Sequence, residues 1–65
     1  MPTGIVENFN PVALTGTIMP TDGTPALQFV AAMIAPATVL HQDARVEYDL
    51  VVAAAGPQPH NIRLF

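Results

Sequence analysis

Two histidines, five carboxylates at Glu7, Asp22, Asp43, Glu47 and Asp49, and two arginines, Arg45 and Arg63, make up all the charged and imidazole chemistry in this chain. Metal binding and acid–base catalysis need such groups close together at defined spacing. Neither His41 nor His60 has a second ligand at such a spacing. His41-Gln42-Asp43 sets an imidazole near a carboxylate, a pattern that a solvated loop explains. There is no serine and no cysteine, which removes serine nucleophiles, thiolate metal sites and disulfides. Threonine nucleophiles need an activating base, and none stands beside Thr15 or Thr17. Gly4, Gly16, Gly23 and Gly56 occur singly, not as a phosphate-cradling loop. The chain reads as non-catalytic, with no cofactor and no metal.

The framework that carries these residues is small. Sixty-five residues form one domain, residues 1–65, and a chain of that size buries only about 60% of its unfolded surface. Absence of cysteine fits a reducing cytoplasm, the expected location. The longest apolar stretch, Ala26 to Leu40, contains Gln28 and Pro36 and falls short of the ~20 residues that span a bilayer. The start, Met1-Pro2-Thr3-Gly4, lacks the basic and apolar run of a secretory leader. No membrane partner is expected. The formal net charge is -3 with no lysine at all. Phosphate binding gains from each neutralised charge, and two arginines supply little of it.

Turn residues recur at short intervals, as in an antiparallel β domain. Asn10-Pro11, Pro20-Thr21-Asp22-Gly23, Pro36 and Ala55-Gly56-Pro57 punctuate the chain. They predict five strands near residues 3–10, 14–19, 26–31, 44–53 and 59–64. Gly23 is free to take the positive φ of a tight turn. Ile18 then pairs with the Leu27 and Phe29 side of the next strand, leaving Thr15, Thr17, Gln28 and Val30 outward. In Arg45-Val46-Glu47-Tyr48-Asp49-Leu50-Val51, strict alternation places the charges on one solvated face and Val46, Tyr48 and Leu50 on the other. Residues 24–35 also read as a helix, with Pro25 at the first position, many alanines and Pro36 after its end. The flanking turn and strand favour a sheet partner there instead.

In that order and spacing the residues resemble the bacterial cold-shock proteins. Thr3-Gly4-Ile5-Val6-Glu7-Asn8-Phe9-Asn10 is similar to the opening strand T-G-x-V-K-W-F-N. Ala13-Leu14-Thr15-Gly16-Thr17-Ile18 stands where the first ribonucleoprotein motif, K-G-[FY]-G-F-I, is expected, followed by a P-x-D-G turn at Pro20-Thr21-Asp22-Gly23. Leu27-Gln28-Phe29-Val30-Ala31 takes the place of the second motif, V-F-V-H-F. Leu40 to Val51 resembles L-x-x-G-Q-[KR]-V-E-F-E-V-V, and Gly56-Pro57-Gln58-Pro59-His60-Asn61-Ile62 resembles G-P-Q-A-x-N-V. The likeness covers nearly the whole chain, with a spacer about two residues shorter between Ile34 and Leu40. It implies an all-β, five-stranded Greek-key barrel of the oligonucleotide-binding type, cold-shock-domain-like.

The resemblance also implies a face that binds single-stranded RNA or DNA by stacking bases on aromatics helped by lysines. This chain departs from it there. The tryptophan position is Asn8, the outward aromatics of the first motif are Thr15 and Thr17, and Gln28, Val30 and Ala31 replace the ring-bearing residues of the second. Glu7 and Ala13 replace lysines, and only Phe9 remains as a platform, with packing in the core as its other reading. Stacking is worth ~1–3 kcal/mol per base. Losing five or six platforms therefore removes ~5 kcal/mol or more, over three orders of magnitude in affinity at ~1.4 kcal/mol per tenfold. The expectation is a degenerate nucleic-acid face at Asn8, Phe9, Thr15, Thr17, Gln28, Val30 and Ala31. Single-stranded RNA or DNA would bind weakly or not at all, and the domain would act through a protein partner or a homo-oligomer. The alternative is a working single-strand binder that uses the amides and hydroxyls at these positions; a third is a domain that has kept only its fold. Leu14, Met19, Val30 and Ala31 are the candidates for an apolar contact surface, although Leu14, Met19 and Met33 also read as packing residues.

Overall fold

The computed structural model describes residues 2–65. Five strands form, β1 (Thr3–Asn10), β2 (Thr15–Pro20), β3 (Leu27–Phe29), β4 (Arg45–Ala53) and β5 (Gly56–Leu64), with one 3₁₀ turn, Ala31–Met33, after β3. They make a single antiparallel sheet in the order β3-β2-β1-β4-β5. The sheet curls until its two edge strands approach each other. No ladder joins β3 to β5, so the sheet is not closed; a lone parallel bridge, Ile34 to Ile62, ties the segment after β3 to β5. The radius of gyration, 10.4 Å, is that of a compact chain of this length, about 11 Å.

The core forms from inward positions spaced two apart. Val6, Ile18, Leu27, Phe29, Leu40, Ala44, Val46, Tyr48 and Ile62 are buried. Val6 faces Ile18 across β1 and β2, and Ile18 faces Leu27 across β2 and β3, so one hydrophobic row crosses three strands. The next inward row is Phe9, Gly16 and Phe29. The two rings meet with centroids 6.3 Å apart and planes 18° from parallel. Gly16 is required between them: a Cβ there would run into the Asn8 carbonyl oxygen and the Phe29 ring.

Two bulges set the sheet's twist. β1 carries an extra residue between Val6 and Asn8, and β5 carries one opposite Tyr48, between the Glu47–Arg63 and Asp49–His60 pairs. Extra residues of this kind bend the strand and sharpen its twist. Asn61, in the second bulge, has φ 53°, a left-handed conformation that asparagine tolerates better than most residues.

The strand expectations need three corrections. β3 spans Leu27–Phe29 and not 26–31, because the chain turns into the 3₁₀ segment at Ala31; the helix pattern over 24–35 survives only as that turn. Gly23 takes the positive φ expected of it, within the loop that precedes β3. Residues 21–26 separate β2 from β3, with Gly23 at φ 83°. β5 starts at Gly56 instead of 59, since Ala54-Ala55 and Gly56, at φ 114°, turn β4 directly back. Leu50 does not share the buried face of Val46 and Tyr48. It is half exposed, at 48%, because β4 extends beyond its ladder with β1 and no described strand pairs with that side of its last residues.

Candidate nucleic-acid face

The bulge at Glu7 decides what the outer face of β1-β2-β3 displays. It places Asn8 opposite Thr17, and Thr17 stands opposite Gln28. One row of polar side chains thus crosses three strands on the side away from the core. Thr15 lies on the same side, two residues along β2 from Thr17. Asn10, opposite Thr15, is engaged in the following turn, where its Oδ1 accepts the N–H groups of Val12 and Ala13 at 3.0 and 3.2 Å.

This row is bonded to itself. The Asn8 amide Nδ2 donates to Thr17 Oγ1 at 3.5 Å, and the Thr17 hydroxyl donates to Glu7 Oε1 at 3.4 Å. A hydroxyl has one proton to give, so Thr17 has no donor left for a base or ribose. Both bonds are long, but they leave a carboxylate beside the centre of the row.

The seven sequence candidates fall into three groups. Asn8, Thr15, Thr17 and Gln28 share the outer face. Phe9 does not: it lies in the inward row, half-buried, with its ring against Phe29. It borders a groove of about 440 Å³ that Leu14, Ala31, Ile34 and Val39 also line. Ala31 thus joins Phe9 and not the polar row. Val30 is 47% exposed and, with Gln28, borders a second cavity at the other side of β3. Met19 is exposed and pairs with Ile5 on the outer face, while Met33 packs against the core. Leu14, Met19, Val30 and Ala31 therefore do not form one continuous apolar patch.

The two arginines lie on β4 and β5, and the exposed Arg45 stands opposite Ile5 of β1. Arg63 lies on β5, with Nε 3.1 Å from Glu47 Oε1, NH2 3.8 Å from Asp49 Oδ1 and NH1 donating to the Asn61 carbonyl at 2.7 Å. Cross-strand register brings these groups together, since Glu47 stands opposite Arg63. Glu47 and Asp49 thus pair with Arg63, while Arg45 and Asp49 remain exposed on the solvated face. His41 Nδ1 contacts the Gln42 carbonyl at 2.9 Å. Among the described residues no three His, Asp or Glu side chains gather as a metal site would require, and no helix is long and apolar enough to cross a membrane.

One feature escapes the sequence reading. Tyr48 N–H donates to the Pro2 carbonyl at 3.0 Å, so even-numbered residues of β4 aim their backbone groups toward β1. Those of Leu50 and Val52 aim the same way, past the point where β1 begins. Odd-numbered residues face β5. That leaves Pro57 and Pro59, paired with Val52 and Leu50, at positions where a missing N–H costs the ladder nothing. The outer edge of β5 is consequently poor in donors, while among the described residues no strand pairs with the β1-facing edge of Leu50 to Val52. The Pro57-x-Pro59 spacing was the available signal.

No protein-family model matches the chain, and no curated protein matches it.

Proposed function

We propose that this chain is a cold-shock-type Greek-key barrel of the oligonucleotide-binding class with a degenerate nucleic-acid face. It binds single-stranded RNA or DNA weakly or not at all, acts through protein contacts or self-association, and performs no catalysis. The strand order supports the fold assignment. Read as β4-β1-β2-β3 it is consistent with the order of a Greek key, with β5 beside β4 and close to β3. Backbone geometry supports it independently. Leu14 and Asp43 stand where the cold-shock pattern has glycine, and both adopt left-handed conformations, φ 57° and 70°. Asn61 falls on the pattern's asparagine and is left-handed as well.

The observation that carries the functional reading is the row Glu7, Asn8 and Thr17. Where stacking platforms would stand there are short polar side chains bonded to one another, and the one remaining aromatic, Phe9, is turned to the core. Protein contact is favoured by the open edge of β4, whose Leu50, Val51 and Val52 side chains are 48%, 43% and 82% exposed. Addition of a strand to such an edge is a general mode of peptide recognition.

Restoring rings tests this reading. The variant with Asn8→Trp, Thr15→Phe and Thr17→Phe gains ~1–3 kcal/mol per ring, at least about a hundredfold in affinity for oligothymidine. No gain in a folded variant contradicts the proposed face. For the edge, sedimentation across a concentration series with Val52→Pro as control separates association through β4 from a strict monomer.

A further inference from the structure

A cavity of about 730 Å³ opens between β3 and the β4–β5 hairpin, at the end of the sheet where β1 starts. Its volume falls within the ~300–1,000 Å³ of small-molecule sites. Leu27, Phe29 and Tyr48, all buried, form its floor, and the exposed Leu50 and Pro57 form one wall. The sequence reading did not anticipate it, because the lining comes from four separate segments. Of the polar outer row only Gln28 reaches it; Asn8, Thr15 and Thr17 do not.

Among the described residues one charged side chain lines this cavity, that of Asp22. Its position is fixed, since Oδ1 accepts the Thr24 N–H at 3.0 Å and the Thr24 hydroxyl at 2.7 Å. The same two bonds hold the carboxyl below its ordinary range, so it is anionic at neutral pH. Burial, then the nearby Asp22 charge, pushes the Tyr48 phenol up, so it stays a neutral hydroxyl. Neither arginine lines the cavity. Apolar floor, neutral polar groups and one anchored negative charge are thus grouped in one concave site.

The geometry points to a binding site for a small amphipathic cation, an amine on a compact hydrocarbon body. The body rests on Leu27, Phe29 and Tyr48 and the ammonium lies at Asp22. A carboxylate of the same shape meets like charge, and a neutral alcohol keeps the hydrophobic contact but loses the ion pair. This site goes beyond the function proposed above and does not depend on it.

Tyr48 is the single tyrosine and there is no tryptophan, so the chain's intrinsic emission reports directly from the cavity floor. Cyclohexylmethylammonium, cyclohexylmethanol and cyclohexanecarboxylate share one body and do not interfere optically. The ammonium is expected to change Tyr48 emission saturably and to bind twofold to fivefold tighter than the alcohol, the range of one exposed ion pair. The carboxylate is expected to give no response. Asp22→Asn, which keeps an oxygen for Thr24, lowers ammonium affinity to that of the alcohol, and Leu50→Lys, at a half-exposed wall position, abolishes it. Equal affinity for ammonium and alcohol overturns the proposal. So does silence of Tyr48 toward all three probes at millimolar concentration, or unchanged ammonium binding in folded Asp22→Asn.

Discussion

The inner and outer faces of β1-β2-β3 belong to the same residues in alternation, yet they differ completely in how well they match a cold-shock pattern. Inward, Val6, Ile18, Leu27 and Phe29 build a continuous apolar row and Gly16 admits the stacked rings of Phe9 and Phe29. Outward, Asn8, Thr17 and Gln28 form a row with no ring and with its hydrogen bonds partly used internally. A strand's period of two separates these faces cleanly. Folding depends on the inward set and on the glycines and turns, whereas in the proposed reading ligand affinity depends on the outward set. One can be lost while the other persists.

The sharpest way to break this contrast is to substitute adjacent residues of β2. Ile18→Ala removes a fully buried side chain and is expected to cost ~2–5 kcal/mol, much of the ~3–10 kcal/mol expected for a domain this small. Thr17→Ala, next to it on the outer face, removes only two long hydrogen bonds and is expected to cost about 1 kcal/mol or less. Urea unfolding measures both. Comparable losses would mean that the outer row is structural and not a vacated ligand face.

A smaller effect tests the backbone evidence. Leu14 is half exposed and left-handed, a conformation that costs an ordinary residue ~1–2 kcal/mol. Leu14→Gly therefore stabilises the fold by about 1 kcal/mol after the greater freedom of glycine in the unfolded chain is set against it. Destabilisation by the same variant in thermal unfolding would remove Leu14 as support for the cold-shock likeness.

The smallest expected effect lies at alkaline pH. The buried Tyr48 phenol has its pKa raised above the ordinary value of 10.0, so between the unfolded and folded values the native state holds the extra proton. Stability from this group is complete below pH 10 and declines as pH rises through the folded value. Tyrosinate absorbance should appear later in the folded than in the unfolded protein. Coincident titration would mean that Tyr48 is not buried as described.

Much of the sheet was legible in the sequence because alternation and turn residues act locally. β1 falls on residues 3–10, and Ile18 pairs with Leu27 as expected. The misread parts depend on distant neighbours. Whether residues 24–35 form a helix is decided by β2, which pairs with Leu27–Phe29 before the chain turns at Ala31. Leu50 alternates correctly with Val46 and Tyr48, but no sequence pattern says that β1 ends before reaching it. Phe9 changes side because of the bulge at Glu7, an insertion that period counting does not detect. Absence of aromatics at Asn8, Thr15, Thr17 and Gln28 was plain from the sequence alone. Their mutual bonding, and the cavity beside Asp22 and Tyr48, required the folded arrangement.

The proposal at the centre of this account is that the outer face of β1-β2-β3 does not capture single strands. The most direct test is a titration of fluorescent oligothymidine and mixed-sequence RNA with folded protein at low salt, repeated at higher salt. The proposal predicts no saturable binding up to high micromolar protein. Saturable micromolar binding that weakens with salt would contradict it and show that the amides and hydroxyls of this face serve in place of rings.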